Sequence, residues 1–160
     1  MKRRKLLLGA LMLVTVLATA GPAHGQTPNQ SFTLIIHGEP HIGPAIATGR
    51  FVGIGTIEEP VEDVGLLTFA SGTLTFLGLF DEESTEFDDQ TCVGVFTTSG
   101  RYVVTEGTGI FEGATGGGYL SGRAIFVTER TPEGCSEKEI FAIAVFYLTG
   151  TLYLSGDAAG

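Results

Sequence analysis

Between Glu106 and Gly118 the chain carries six glycines, at 107, 109, 113, 116, 117 and 118, with apolar strand-length runs on both sides. Glycine goes where the backbone needs positive φ or where another segment approaches closely. This density predicts a tightly folded connection rather than a strand interior, with Ile110 and Phe111 plugging the end of a core. No segment after residue 25 sustains a helical period. Short apolar runs separated by Gly-rich turns predict an all-β fold, a single small antiparallel β-barrel of about eight strands. Closure is preferred to a sandwich because it removes the sheet edges that a small all-β chain must otherwise protect.

A Gly-rich loop also suggests phosphate binding. Gly107, Gly109 and Gly113 are spaced G-x-G-x-x-x-G, one residue longer than the dinucleotide fingerprint, and no Lys follows as in a P-loop. Both phosphate motifs need a helix whose N-terminus holds the anion. Tyr119 to Val127 reads as a strand instead, so the corner is read as structural.

The segment Gly107-Thr-Gly-Ile-Phe-Glu-Gly-Ala-Thr-Gly116 resembles the glycine-rich corner of the allene oxide cyclase barrel family. A looser G-T-G-x-F pattern is similar to that of dirigent proteins. From about Phe69 to Leu154 the chain resembles uncharacterised secreted bacterial proteins of this barrel class. The matching pieces include Phe69-Ala-Ser-Gly-Thr-Leu-Thr75, Gly100-Arg-Tyr-Val-Val-Thr105 and Thr149-Gly-Thr-Leu152. The resemblance implies the barrel. It implies little about chemistry, because one fold hosts many functions.

The N-terminus reads as a secretory signal peptide, which predicts a secreted, periplasmic or extracellular destination. It has a basic Met1-Lys-Arg-Arg-Lys5, an uncharged apolar run from Leu6 to Ala20, and small-residue cleavage patterns ending at Ala20 and Gly25. Cleavage after Gly25 (Ala20 is the alternative) leaves 26–160 as one barrel domain. Five basic against eighteen acidic residues then give a formal charge of −13. Such a surface repels phosphate backbones, so nucleic acid is not an expected partner. The apolar run is shorter than the ~20 residues of a spanning helix, so the mature chain is not expected to be membrane-embedded. In an exported chain the two cysteines, Cys92 and Cys135, predict a disulfide. The rival reading, a reactive thiol, lacks a histidine nearby in sequence.

Along the mature chain, residues 26–30 read as a mobile lead-in and Ser31 to His37 as the first strand. The stretch from His37 to Pro44 reads as a turn and Arg50 to Ile57 as the second strand. Glu58 to Asp63 and Asp81 to Asp89 read as acidic loops. Val64 to Phe69 and Thr73 to Phe80 form a hairpin. Thr91 to Thr105 is one bent strand or two, and Tyr119 to Thr128 is a strand. Thr131 to Glu137 is a loop holding Cys135, and Glu139 to Leu154 is one strand or two.

The pattern lacks a catalytic constellation. A Ser-His-Asp triad has only His37 and His41 to draw on, and no G-x-S-x-G elbow. His37, Glu39 and His41 lack a fourth ligand and the helical H-E-x-x-H spacing. The acidic run lacks an EF-hand's glycine and glutamate offsets, so no metal and no cofactor are expected. A glycosidase lacks a Trp platform. Two functions remain. One is a disulfide-stapled barrel that binds an apolar small molecule or serves as a structural module. The other, implied by the resemblance, is a cyclase or isomerase acting on an apolar substrate in the barrel. Tyr102 and Glu106, on one strand face by even spacing, together with Arg123 and, more weakly, Arg101, are the candidate ligand-binding residues. Gly107, Gly109, Gly113 and Gly116 are structural.

Overall fold

The computed structural model describes residues 28–38 and 40–156. The signal-peptide reading falls on residues 1–25, outside them. Eight strands follow one another: β1 (Gln30–His37), β2 (Ile42–Gly49), β3 (Gly53–Val61), β4 (Val64–Phe69), β5 (Gly72–Asp88), β6 (Val93–Gly107), β7 (Thr115–Thr131) and β8 (Gly134–Tyr153), with a 3₁₀ turn at Gly109–Phe111. Each strand pairs antiparallel with its neighbours in sequence, and β1 pairs with β8, closing the barrel. The expected all-β barrel of eight strands is the fold.

Alternation builds the core. Phe32 and Leu34 of β1, Ala45 and Ala47 of β2, and Leu148 and Leu152 of β8 point inward and are buried. An eight-stranded barrel is just wide enough for side chains to fill it. Rings on the same inner face cover its glycines. Phe76 of β5 lies where a Cβ on Gly65 would stand, Phe126 covers Gly94, and Phe146 covers Gly122. A glycine on one strand makes room for a phenylalanine on the next, a recurrent way of filling a curved sheet.

The Gly-rich corner closes one end. Gly109 and Gly113 have φ of +62° and +71°, which glycine adopts without strain. Between them the chain turns Phe111 into the barrel, fully buried, against Phe51 and Phe69 with ring centroids 5.0 and 5.8 Å away. Ile110 does not join the plug; it is exposed. Gly116, Gly117 and Gly118, expected in the connection, belong to β7. A Cβ on any of them would run into the carbonyls of Thr151, Tyr102 or Thr149. Glycine here serves close strand packing rather than turning.

Several segments expected as loops are strand. Residues 42–44 of the expected turn already belong to β2, Glu58 to Val61 extend β3, and β8 starts at Gly134. The acidic run belongs to β5 as far as Asp88. Its charges are tolerated because β4 pairs with β5 only as far as Leu77. Beyond that β5 is an open edge, which acidic side chains protect from further pairing. The lead-in is ordered at its end: Asn29 Oδ1 accepts from the Leu152 N–H at 2.9 Å, and Gln30 is buried.

Candidate functional site: an apolar groove at the open end

The barrel wall is uneven. At the end opposite Phe111, β1 to β4 stop at short turns, while β5 to β8 continue as two long hairpins. These hairpins pair with each other through residues 93–103 of β6 and 117–127 of β7. The result is a four-stranded overhang that stands above the low wall. A disulfide joins Cys92, beside the β5–β6 turn, to Cys135 near the start of β8, with Cα atoms 5.4 Å apart. It ties the tips of the two hairpins together, and it is the bond that the cysteine pair predicts. Arg130 adds to the clasp by donating to the carbonyls of Gln90 and Asp89. The turn itself is held by Asp88, which accepts from the Gln90 N–H at 2.8 Å and the Thr91 hydroxyl at 2.7 Å. The Thr91 bond above all keeps the Asp88 carboxyl below the usual carboxylate range.

Strand register decides which side chains the overhang turns inward. Phe96, Ala124 and Ala144 stand abreast on β6, β7 and β8. One step further out, Phe87 stacks on Phe126 with centroids 6.0 Å apart, across Gly94. One step toward the barrel, Phe146 lies over Gly122. This inner face is continuous with the barrel core but has no opposing wall, so Phe96, Ala124, Ala144 and Phe126 are only half-buried. It forms the floor of a groove.

At its deep end the groove enters the barrel between Leu34, Ile57, Phe76, Phe80 and Leu148, where a cavity of about 30 Å³ remains. That is room for about one water molecule, far below the roughly 300 Å³ or more of a small-molecule pocket. At this end the described side chains fill most of the barrel mouth. Open clefts lie outside it, at the rim beside the overhang. Among the described residues the titratable groups at the deep end are Glu59 and Asp63, on the low β3–β4 hairpin. Beside them His41 Nδ1 stands 3.7 Å from Glu59. A second open cleft runs past His37, Gly38, Glu139 and Ala142, at the outer end of the β1–β8 pair.

The four candidate binding residues are not brought together. Tyr102 points into the core, edge-on to Phe76 with centroids 6.2 Å apart, and is 2% exposed. Burial pushes its phenol up to about 12. Arg101 points outward, 3.7 Å from Asp81. Glu106 is exposed as well, although its even spacing from Tyr102 predicts a shared face. The cause is a bulge: Thr75 faces Glu106 while Phe76 faces Val104, so β6 gains one residue and the alternation inverts. Arg123 is on the outer face, opposite Ala124 and Phe126, as its alternation predicts. Gly107, Gly109 and Gly116 sit in close-packed positions of the corner or its flanking strand, whereas at Gly113 φ alone demands glycine. Among the described residues no group of three or more His, Cys, Asp and Glu could hold a metal ion. Of the His37, Glu39 and His41 set, Glu39 lies outside the described residues.

The groove residues carry a sequence signal, though a faint one. Ala142, Ala144, Phe146 and Leu148 share a face by alternation, and so do Ala124 and Phe126. Alternation says that these faces are apolar; it does not say that half of each lacks a cover. Comparison with family models, with curated proteins and with solved structures finds no match to this chain.

Proposed function

We propose that this chain is an exported barrel of the allene oxide cyclase-like class that binds an apolar small molecule in the groove at its open end. The observation that carries the reading is the uncovered inner face of the overhang, where Phe96, Phe126, Ala124 and Ala144 continue the core's apolar surface into solvent. Apolar concave surfaces with few polar groups are the usual form of small-molecule sites. The disulfide supports an oxidising destination, since such bonds persist outside the cytoplasm. Its position at the hairpin tips also supports binding, because a floor held rigid costs less to order when a ligand arrives.

The neutral dye Nile red tests the proposal. Its emission should rise and shift to the blue with the wild-type protein. An Ala144→Glu variant, which puts a charge in the middle of the floor, should lose the response while keeping its circular dichroism and its disulfide. An unchanged response in that variant, or none with the wild type, would overturn the assignment.

A further inference from the structure

Resting on the groove reading, we propose that the natural ligand is an amphipathic cation: an apolar body lying on the overhang's floor and an ammonium or guanidinium group held at the rim. The argument starts from the sign of the charge around the groove. The deep end is apolar apart from Glu59 and Asp63. The adjoining cleft on the β5 side is lined by Glu62, Asp63, Asp81 and Glu83. The cleft on the β8 side contributes Glu139. Among the described residues neither Lys nor Arg lines any of the three.

Two basic groups nearby are engaged elsewhere: Lys138 is 3.2 Å from Glu129, and Arg130 is spent on the hairpin tips. Arg101, on the outer face, stands 3.7 Å from Asp81 and offsets that one carboxylate, which leaves Glu59, Glu62, Asp63, Glu83 and Glu139 to set the sign of the rim. His41 and His37 are the local groups that can compete for the carboxylates, and His41 meets Glu59. Asp63 faces the groove from a fixed position. Its backbone takes the left-handed conformation, φ +65°, at the hairpin tip, and its carbonyl accepts from the Gly78 N–H at 2.7 Å.

Carboxylates beside a low-dielectric wall focus their field into the space between, which attracts cations and repels anions. A fatty acid or other apolar anion therefore fits the floor and not the rim. A neutral apolar molecule fits the floor and gains nothing from the rim. An amphipathic cation uses both.

Isothermal titration with three probes sharing one dodecyl chain tests this: dodecyltrimethylammonium, dodecyl maltoside and dodecyl sulfate, each below its micelle concentration. The cation should bind at least about tenfold more tightly than the neutral probe, and the anion most weakly. Raising salt from about 20 to about 200 mM should shrink the cation's advantage several-fold, because rim charges in water are screened. A Glu59→Gln, Asp63→Asn double variant should bring the cation down to the neutral probe's affinity. The neutral probe's own affinity should not move, which shows that the floor is intact; Asn keeps the left-handed conformation open at position 63. If the neutral probe or the anion binds as tightly as the cation, or if the double variant keeps the cation's advantage, the charge inference falls while the groove reading stands. If none of the three binds, both fall.

Discussion

The side chain of Gln30 pairs with both backbone polar groups of Phe51: Oε1 accepts from the Phe51 N–H at 2.9 Å, and Nε2 donates to the Phe51 carbonyl at 3.2 Å. A buried amide thus stands in for a missing strand partner at the β2–β3 turn. Gln30→Leu keeps the side-chain volume and removes both bonds. Leaving a buried backbone group unpaired costs about 1–3 kcal/mol; Phe51 is only half-buried, so for its two groups the lower end, about 2–3 kcal/mol in all, is expected in urea unfolding. A variant as stable as the wild type would mean that water replaces the amide.

Gly122 and Phe146 make a second test. The ring fills the place of a Cβ at position 122. Gly122→Ala forces the ring aside and should cost about 1–3 kcal/mol, as overpacking does. Combined with Phe146→Leu, the alanine should cost less than it does alone, and a double-mutant cycle measures the difference. Additive losses would show that the two positions are independent.

The disulfide closes a loop with a sequence separation of 43 between Cys92 and Cys135. The loop-entropy relation gives about 4 kcal/mol for that length. Cys92→Ser with Cys135→Ser should lower unfolding stability by up to about that amount. It should also raise amide exchange first at the hairpin tips, residues 88–93 and 130–135. Exchange that rises equally in β1 to β4 would contradict a local clasp.

Thr128 is buried at the irregular end of β7, and its Oγ1 has no hydrogen-bond partner among the described residues. An unpaired buried hydroxyl costs about 1–3 kcal/mol. Thr128→Val removes it at nearly constant volume and should stabilise the protein by about 1 kcal/mol. A lower melting temperature would reveal a partner for the hydroxyl.

Alkaline pH acts through Tyr102. Its folded phenol is raised to about 12, against about 10 when unfolded. The neutral form is favoured in the fold, so this contribution is intact below about pH 10 and is lost as pH rises through about 12. Tyr102→Phe should flatten the decline of stability between those values. An identical decline in the variant would assign it to other groups.

Much of the barrel is legible in the sequence where alternation is clean. Phe32 and Leu34 announce the inner face of β1, and Phe111 announces the plug. What escapes is set by context. β2 contains Gly43, Pro44 and Gly49, all turn-formers, and is a strand because β1 and β3 pair with it on both sides. The acidic run from Asp81 looks like a solvated loop because its charges are compatible with water, and an open sheet edge meets water too. The candidate site suffers from one extra residue. The bulge at Thr105 carries Glu106 to the outside, and no spacing rule sees a bulge. The groove is half legible: the apolar faces of Ala144 and Phe126 can be read, but the inequality in strand length that leaves them uncovered is a property of the assembled sheet.

The pairing of β1 with β8 has a consequence for how the chain is made. Every other pairing joins neighbours in sequence, so hairpins can form as they emerge. The first strand alone must wait for the last, with Phe32 and Leu34 and a row of backbone groups uncovered on one side until residues 143–150 arrive. At ordinary synthesis rates that wait is on the order of ten seconds. During it the nascent chain offers an unpaired strand to any neighbour in the same condition. The seam that closes the finished barrel is thus the place where two unfinished copies would most readily exchange strands.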